Sequence, residues 1–182
     1  MFVASDYEKF YTVKNDDVVY DLGAFNGRHT ILYSRAVGPK GLVVSIEPSH
    51  DNYVKLLNAI SEYRLQNVVP LNLGILDVSG IDKINITDDY SGAANSFFMD
   101  VTVKNMQTIA VSTLDQITEM LKITKIDFIK SDIEGAEIEV FDSAVKTLSI
   151  TQNLAIGSYH LRNGNPTASH VEKSLVKNIK FE

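Results

Sequence analysis

The chain has 182 residues, a formal net charge of −6 and a pI near 5.2, a size that suits one domain (1–182) with its own core and a single active site. The acid excess argues against a protein that coats a phosphate backbone, which needs clustered Lys and Arg, so nucleic acid is a poor candidate partner. With no cysteine there is neither a disulfide framework nor a thiolate zinc site, and no apolar run approaches the ~20 residues of a membrane helix.

At the start, "MFVASDYEKFYTV" has neither the basic nor the apolar region of a signal peptide, which leaves a soluble cytoplasmic protein as the expectation. "DVVYDL" (17–22) and "GLVVSIE" (41–47) are short, β-branched apolar runs that read as buried parallel strands. Between them "RHTILYSRAV" suits a helix closed by Gly38 and Pro39. "SHDNYVKLLNAISEYRL" follows a Ser cap, and Tyr53, Leu56, Leu57 and Ile60 fall on one helical face. "NVVPLNL" (67–73) is a third strand. The order β-α-β-α-β makes half of a doubly wound, mostly parallel sheet.

The second half is less regular. "IDKINI" and "VTVKNMQTIAV" alternate as two antiparallel strands around the loop "DDYSGAANS", an inserted β-hairpin. "LDQITEMLK" is a short helix and "KIDFIKSD" (125–132) a fourth core strand. "AEIEVFDSAVKTL" reads as one helix with Ile138, Phe141, Val145 and Leu148 in one stripe, and "NLAIGSYH" (153–160) as the fifth strand. After His160 there are 22 residues, enough for one helix and one strand, and the chain stops short of a sixth and seventh strand. That shortened C-terminal edge leaves the sheet open for a partner subunit, as in a homo-oligomer.

The stretch "VVYDLGAFNGR" carries the chemistry. Ligands of open α/β sheets bind beyond the carboxyl ends of the strands, where a glycine turn lets the backbone come close. A dinucleotide fingerprint is G-x-G-x-x-G, yet Phe25 and Arg28 stand where the second and third glycines belong; the pattern is D-x-G-x-x-x-G. Asp21 at the strand end repels phosphate and suits a cationic ligand. Glu47, at the end of the second strand and followed by Pro48, lies 20 residues after Gly27, where a carboxylate takes ribose hydroxyls. A phosphate-free nucleoside with positive charge fits, and S-adenosyl-L-methionine is such a ligand.

"KSDIEGAE" adds to this. Four acids fall in the eleven residues from Ile129 to Glu139, with Gly135 allowing a sharp turn. Glu134 and Glu137 near a helix start favour its dipole, and for Glu137 that structural role is the expectation. Asp132 ends a central strand, where ligand charge or catalysis best explains an acid. For any acceptor that must lose a proton in this crevice, Asp132 is the first candidate to take it and His160 the next. His29, His50 and His170 read as surface residues, and no His-and-acid spacing along the chain resembles a metal-ligand set, so no metal is expected.

"VVYDLGAFNGRHTILYSRAVGPKGLVVSIEPS", "STLDQI" and "IDFIKSDIEGAEIEVFDSA" together resemble the FkbM family of S-adenosylmethionine-dependent methyltransferases, within the class I superfamily; the match covers most of 16–160. The resemblance implies a Rossmann-like fold and an O-methyltransferase acting on a small-molecule, sugar-like or other glycan-type acceptor. It implies that Asp21, Gly23, Ala24, Phe25, Asn26 and Gly27 form the loop under the methionine moiety, that Glu47 beside Pro48 holds the ribose, and that Asn72 and Leu73 lie near adenine. Asp132 and Glu134 would line the methyl-transfer face. Against the family pattern, "AIGSYH" has Gly157 and Ser158 where an acid is common. From the residues alone, a nicotinamide-dependent oxidoreductase and a non-catalytic nucleoside-binding module remain as alternatives.

Overall fold

The computed structural model describes residues 6–86, 95–98 and 105–178. In chain order its elements are β1 (Val18–Leu22), α1 (Arg28–Val37), β2 (Leu42–Ile46), α2 (His50–Glu62), β3 (Val68–Leu71), β4 (Gly74–Ile75), β5 (Gly80–Ile86) and β6 (Asn105–Ser112). There follow α3 (Leu114–Met120), β7 (Phe128–Ser131), α4 (Glu137–Ser143), α5 (Val145–Ser149), β8 (Leu154–Ile156), β9 (Leu161–Arg162), β10 (Asn165–Pro166) and α6 (Ala168–Asn178). They divide into two compact units.

The first unit runs to Asn72 and adds Lys125–Ser131 and Thr151–Ile156. Its sheet has the order β3-β2-β1-β7-β8 with every pair parallel. Strand order therefore reverses at β1, which in open α/β sheets is where ligands bind. The apolar runs behave as expected: four of five residues in both β1 and β2 are buried. Helix α1 is held by buried Thr30, Tyr33, Ser34 and Val37, an i, i+3, i+4, i+7 set, between the left-handed residues Gly27 and Gly38. Tyr33 packs edge-on to Phe128, and Val13, Val19, Val37 and Val43 complete that core.

The second unit comprises Leu73–Thr124, Asp132–Ile150 and the residues from Gly157 onward. It contains the inserted hairpin: β5 pairs antiparallel with β6 from Gly80↔Val111 to Ile86↔Asn105, and β4 adds to β6 in parallel. Thr113 caps α3 by accepting a hydrogen bond from the Gln116 amide. Helices α4 and α6 pack together.

Several expectations need correction. Leu57 does not join the buried stripe of α2 but is exposed, because the buried positions of that helix are Asn52 and Leu56. The single helix expected over 136–148 is two: the chain breaks at Ala144 (φ −81°, ψ 44°), which turns Val145 out to solvent. The fifth strand stops at Ile156, so His160 lies beyond its end; among the described residues after it come a β9/β10 hairpin and α6. His29 is not a plain surface residue, since its ring packs against Tyr7 and Tyr33. Of the loop "DDYSGAANS", residues 88–94 lie outside the described residues, as do 101–104 of the expected strand "VTVKNMQTIAV", whereas Ser96 pairs back onto Asn85. Among the described residues no helix is long and apolar enough to cross a membrane.

Candidate active site

In the first unit the turn after β1 is built on three left-handed residues: Gly23 (φ 75°), Phe25 (φ 50°) and Gly27 (φ 83°). The amides of Gly23 and Ala24 both donate to the Ile46 carbonyl, and that of Gly27 donates to Ala24. Gly27 is required on two counts: the backbone is left-handed, and a Cβ there would stand 3.0 Å from Leu56 Cδ1. Asn26 is exposed at the tip, where its side chain accepts from the Arg28 amide, and Lys55 lies over the Phe25 ring.

Glu47 is buried at the end of β2. Its Oε2 accepts from the Phe25 amide at 2.8 Å and its Oε1 from the Ser49 amide at 3.0 Å. Burial pushes its pKa up to about 7, against the lowering effect of those backbone bonds, a side-chain bond with Asn52 and the positive Lys130. Asn72 fastens the same corner, donating to the carbonyls of Glu47 and Pro48.

Asp21, read as the partner of a ligand cation, is fully buried and has a cation of its own. Its Oδ1 lies 3.1 Å from Lys130 Nζ, and its Oδ2 accepts from Thr30, which in turn bonds Ser45. Lys130, on β7, also donates to the carbonyls of Leu22 and Gly23. It was not singled out from the sequence. The only signal was a charged residue inside an otherwise apolar strand, "DFIKS".

Asp132, Glu134 and His160 come together in the second unit. His160 Nε2 lies 3.4 Å from Asp132 Oδ1 and 3.3 Å from Glu134 Oε2, near enough for ion pairs but off the direction of a hydrogen bond. Its Nδ1 is 2.9 Å from Glu137 Oε1. Glu137 starts α4 as expected of a helix-start acid, is fully buried, and also accepts from the Gly135 amide and the Thr167 hydroxyl, which makes it a structural partner of His160 as well. Burial alone pulls the imidazole pKa down; Glu134 and Glu137 outweigh it and push it up to about 10. The turn carrying the acids is left-handed at Glu134 (φ 51°) and Gly135 (φ 97°), with the Glu134 carbonyl accepting from Ser96. Arg162 clamps it, donating to the Gly135 carbonyl at 2.8 Å and twice to Glu139. Tyr159 donates to Asp132. Leu73, at the start of this unit, is half-buried.

A parallel sheet in this order, with a glycine turn after its first strand and an acid after its second, defines a Rossmann-like α/β fold. Solved structures agree on the fold: the methyltransferase FkbM from Methylobacillus flagellatus superposes with a TM-score of 0.66 at 20% identity, over 93% of this chain and 39% of that one. Fibrillarin from Aeropyrum pernix, solved with natively bound S-adenosyl-L-methionine, does so at 0.56 and 12% identity, over 94% of this chain and 61% of that one. The chain belongs to the FkbM methyltransferase family, the Methyltransferase FkbM domain matching residues 21–178. It is 28% identical over 147 residues to the hexuronic acid methyltransferase AglP of Haloferax volcanii, covering 81% of this chain and 57% of that relative.

Proposed function

We propose that this methyltransferase uses S-adenosyl-L-methionine and methylates an oxygen of a small-molecule or sugar-like acceptor. The observation that carries the cofactor reading is Glu47. Its carboxylate accepts the Phe25 and Ser49 amides and a side-chain bond with Asn52, which leaves acceptor capacity for a ribose hydroxyl at the end of β2. A carboxylate buried this deeply is costly without such partners. The left-handed turn at Gly23, Phe25 and Gly27 supports close approach of the amino-acid part to the backbone, with Ala24 and Asn26 in the same loop. Asp21 and Lys130 neutralise each other beneath it and hold the turn's carbonyls. Asn72, Pro48 and Leu73 are assigned to the adenine side. When bound, the cofactor supplies an electrophilic methyl group on a sulfonium.

The acceptor class rests on the name of the Haloferax relative, and oxygen as the target atom on the family resemblance. An attacking hydroxyl must lose its proton, and Asp132, a half-buried carboxylate bonded by Tyr159, is assigned that task with His160 beside it. Glu134 completes that group.

Calorimetric titration with S-adenosylhomocysteine, with NADH as control, tests the reading. Micromolar binding of the first alone is expected, weakened ~1–3 kcal/mol in Glu47→Ala by loss of charge-assisted hydrogen bonds. Binding of NADH alone, or of neither, would overturn it.

A further inference from the structure

We propose that Asp132, Glu134 and His160 form a site for one divalent cation of the first transition row. One ligand atom from each can be chosen so that all three lie within 4.8 Å of one another. Proximity of acids alone is common; the imidazole makes this group different. The His160 side chain is 7% exposed, and its Nε2 is aimed at two carboxylate oxygens without a hydrogen bond to any described residue. Its other nitrogen is held by Glu137, which is itself fixed by the Gly135 amide and by Thr167.

With Nδ1–H donating to Glu137, Nε2 faces Asp132 and Glu134, and two carboxylates there call for positive charge on or beside Nε2, carried either by a proton or by a metal ion in its place. A buried carboxylate that fixes the tautomer of a histidine and raises its basicity is the usual support behind a metal-binding imidazole. The spacing of the imidazole from each carboxylate fits as well. Ligand atoms ~2.1 Å from one ion stand about 3.0–3.4 Å apart at cis-octahedral to tetrahedral angles, and Nε2 is 3.3 and 3.4 Å from the two oxygens.

Two carboxylates and one imidazole are a mixed hard and borderline set, too few oxygens for Ca²⁺ and free of the sulfur that favours structural Zn²⁺. Mn²⁺ is the matching probe. The carboxylates are 26% and 20% exposed, so the remaining coordination positions are open to water or to acceptor hydroxyls. Spacing along the chain gives no sign of this group because Asp132 and His160 are 28 residues apart and meet only in the fold. Cation binding stands on this geometry alone; its use in holding an acceptor hydroxyl rests on the methyltransferase reading.

The test is electron paramagnetic resonance of Mn²⁺ titrated with the full chain, where bound ion loses the sharp aqueous signal. One equivalent is expected to bind, with Asp132→Asn and Glu134→Gln each weakening it at least tenfold and Glu137→Gln about 10–100-fold, while circular dichroism confirms that the variants are folded. An undiminished aqueous signal with the wild-type chain would overturn the site and leave a proton on Nε2 as the positive charge. Binding unchanged in the Asp132→Asn/Glu134→Gln double variant would overturn it too, placing the ion elsewhere. S-adenosylhomocysteine calorimetry on the same samples separates the two ideas. The nucleoside bound without Mn²⁺ sinks only the cation site; Mn²⁺ bound without the nucleoside sinks only the methyltransferase reading.

Discussion

Lys130 and Asp21 form an ion pair at 3.1 Å that is sealed from water, with Lys130 2% and Asp21 0% exposed. The pair links β7 to β1 directly beneath the glycine turn, and the same ammonium holds the carbonyls of Leu22 and Gly23. Removing one partner of a buried pair leaves a desolvated charge. Lys130→Met is therefore expected to destabilise the protein by about 3–5 kcal/mol in urea unfolding. The double variant Lys130→Met/Asp21→Asn should recover much of the loss. If the single variant unfolds at the wild-type midpoint, the pair has no structural weight.

Gly27→Ala tests the turn without touching a charge. A side chain at φ 83° costs about 1–2 kcal/mol, and the added methyl meets Leu56 Cδ1 at 3.0 Å and Ala59 Cβ at 3.3 Å. A loss of at least 1 kcal/mol is expected in chemical denaturation, together with weaker S-adenosylhomocysteine binding. Wild-type stability in this variant would mean that the turn can leave the left-handed region at no cost.

Arg162 acts on the other unit. It bonds both oxygens of Glu139 and the Gly135 carbonyl, and its guanidinium lies 3.6 Å from the centre of the Phe98 ring. A lysine has neither the planar fork nor the stacking face. Arg162→Lys is expected to cost about 1–2 kcal/mol and to speed amide exchange over Asp132–Ala136. Exchange unchanged in that segment would show that the turn needs no clamp.

How far these features could be read from the sequence depends on their range. Strands β1, β2 and β7 and helix α1 were legible because their apolar runs are short, complete and bounded by glycine or polar residues. The place of Glu47 at the end of β2, beside the turn, was legible because a strand-helix-strand unit fixes its distance from the turn. The break at Ala144 was not, since 136–148 keeps a helical period across it and only packing separates α4 from α5. Neither was Lys130, whose partners Asp21 and Gly23 are more than a hundred residues away. Glu137 is legible as the start of α4, whereas its bonds to His160 and Thr167 come from the fold.

The last prediction concerns pH and Glu47. Its ordinary pKa of 4.5 is raised to about 7 by burial. The folded state thus holds this proton more tightly than the unfolded chain, and the contribution of Glu47 to stability falls as pH rises from about 4.5 to about 7, then levels off. Ligand binding has the opposite slope. A carboxylate accepts from a ribose hydroxyl, but a neutral carboxyl has an oxygen that donates, so affinity for S-adenosylhomocysteine should rise through pH 7. Below that pH, binding must expel a proton. Calorimetry at pH 6 in two buffers of different ionisation enthalpy should give different apparent enthalpies in the wild type and equal ones in Glu47→Gln. Equal enthalpies in the wild type, with affinity flat from slightly acid to slightly alkaline pH, would remove Glu47 from the ribose site.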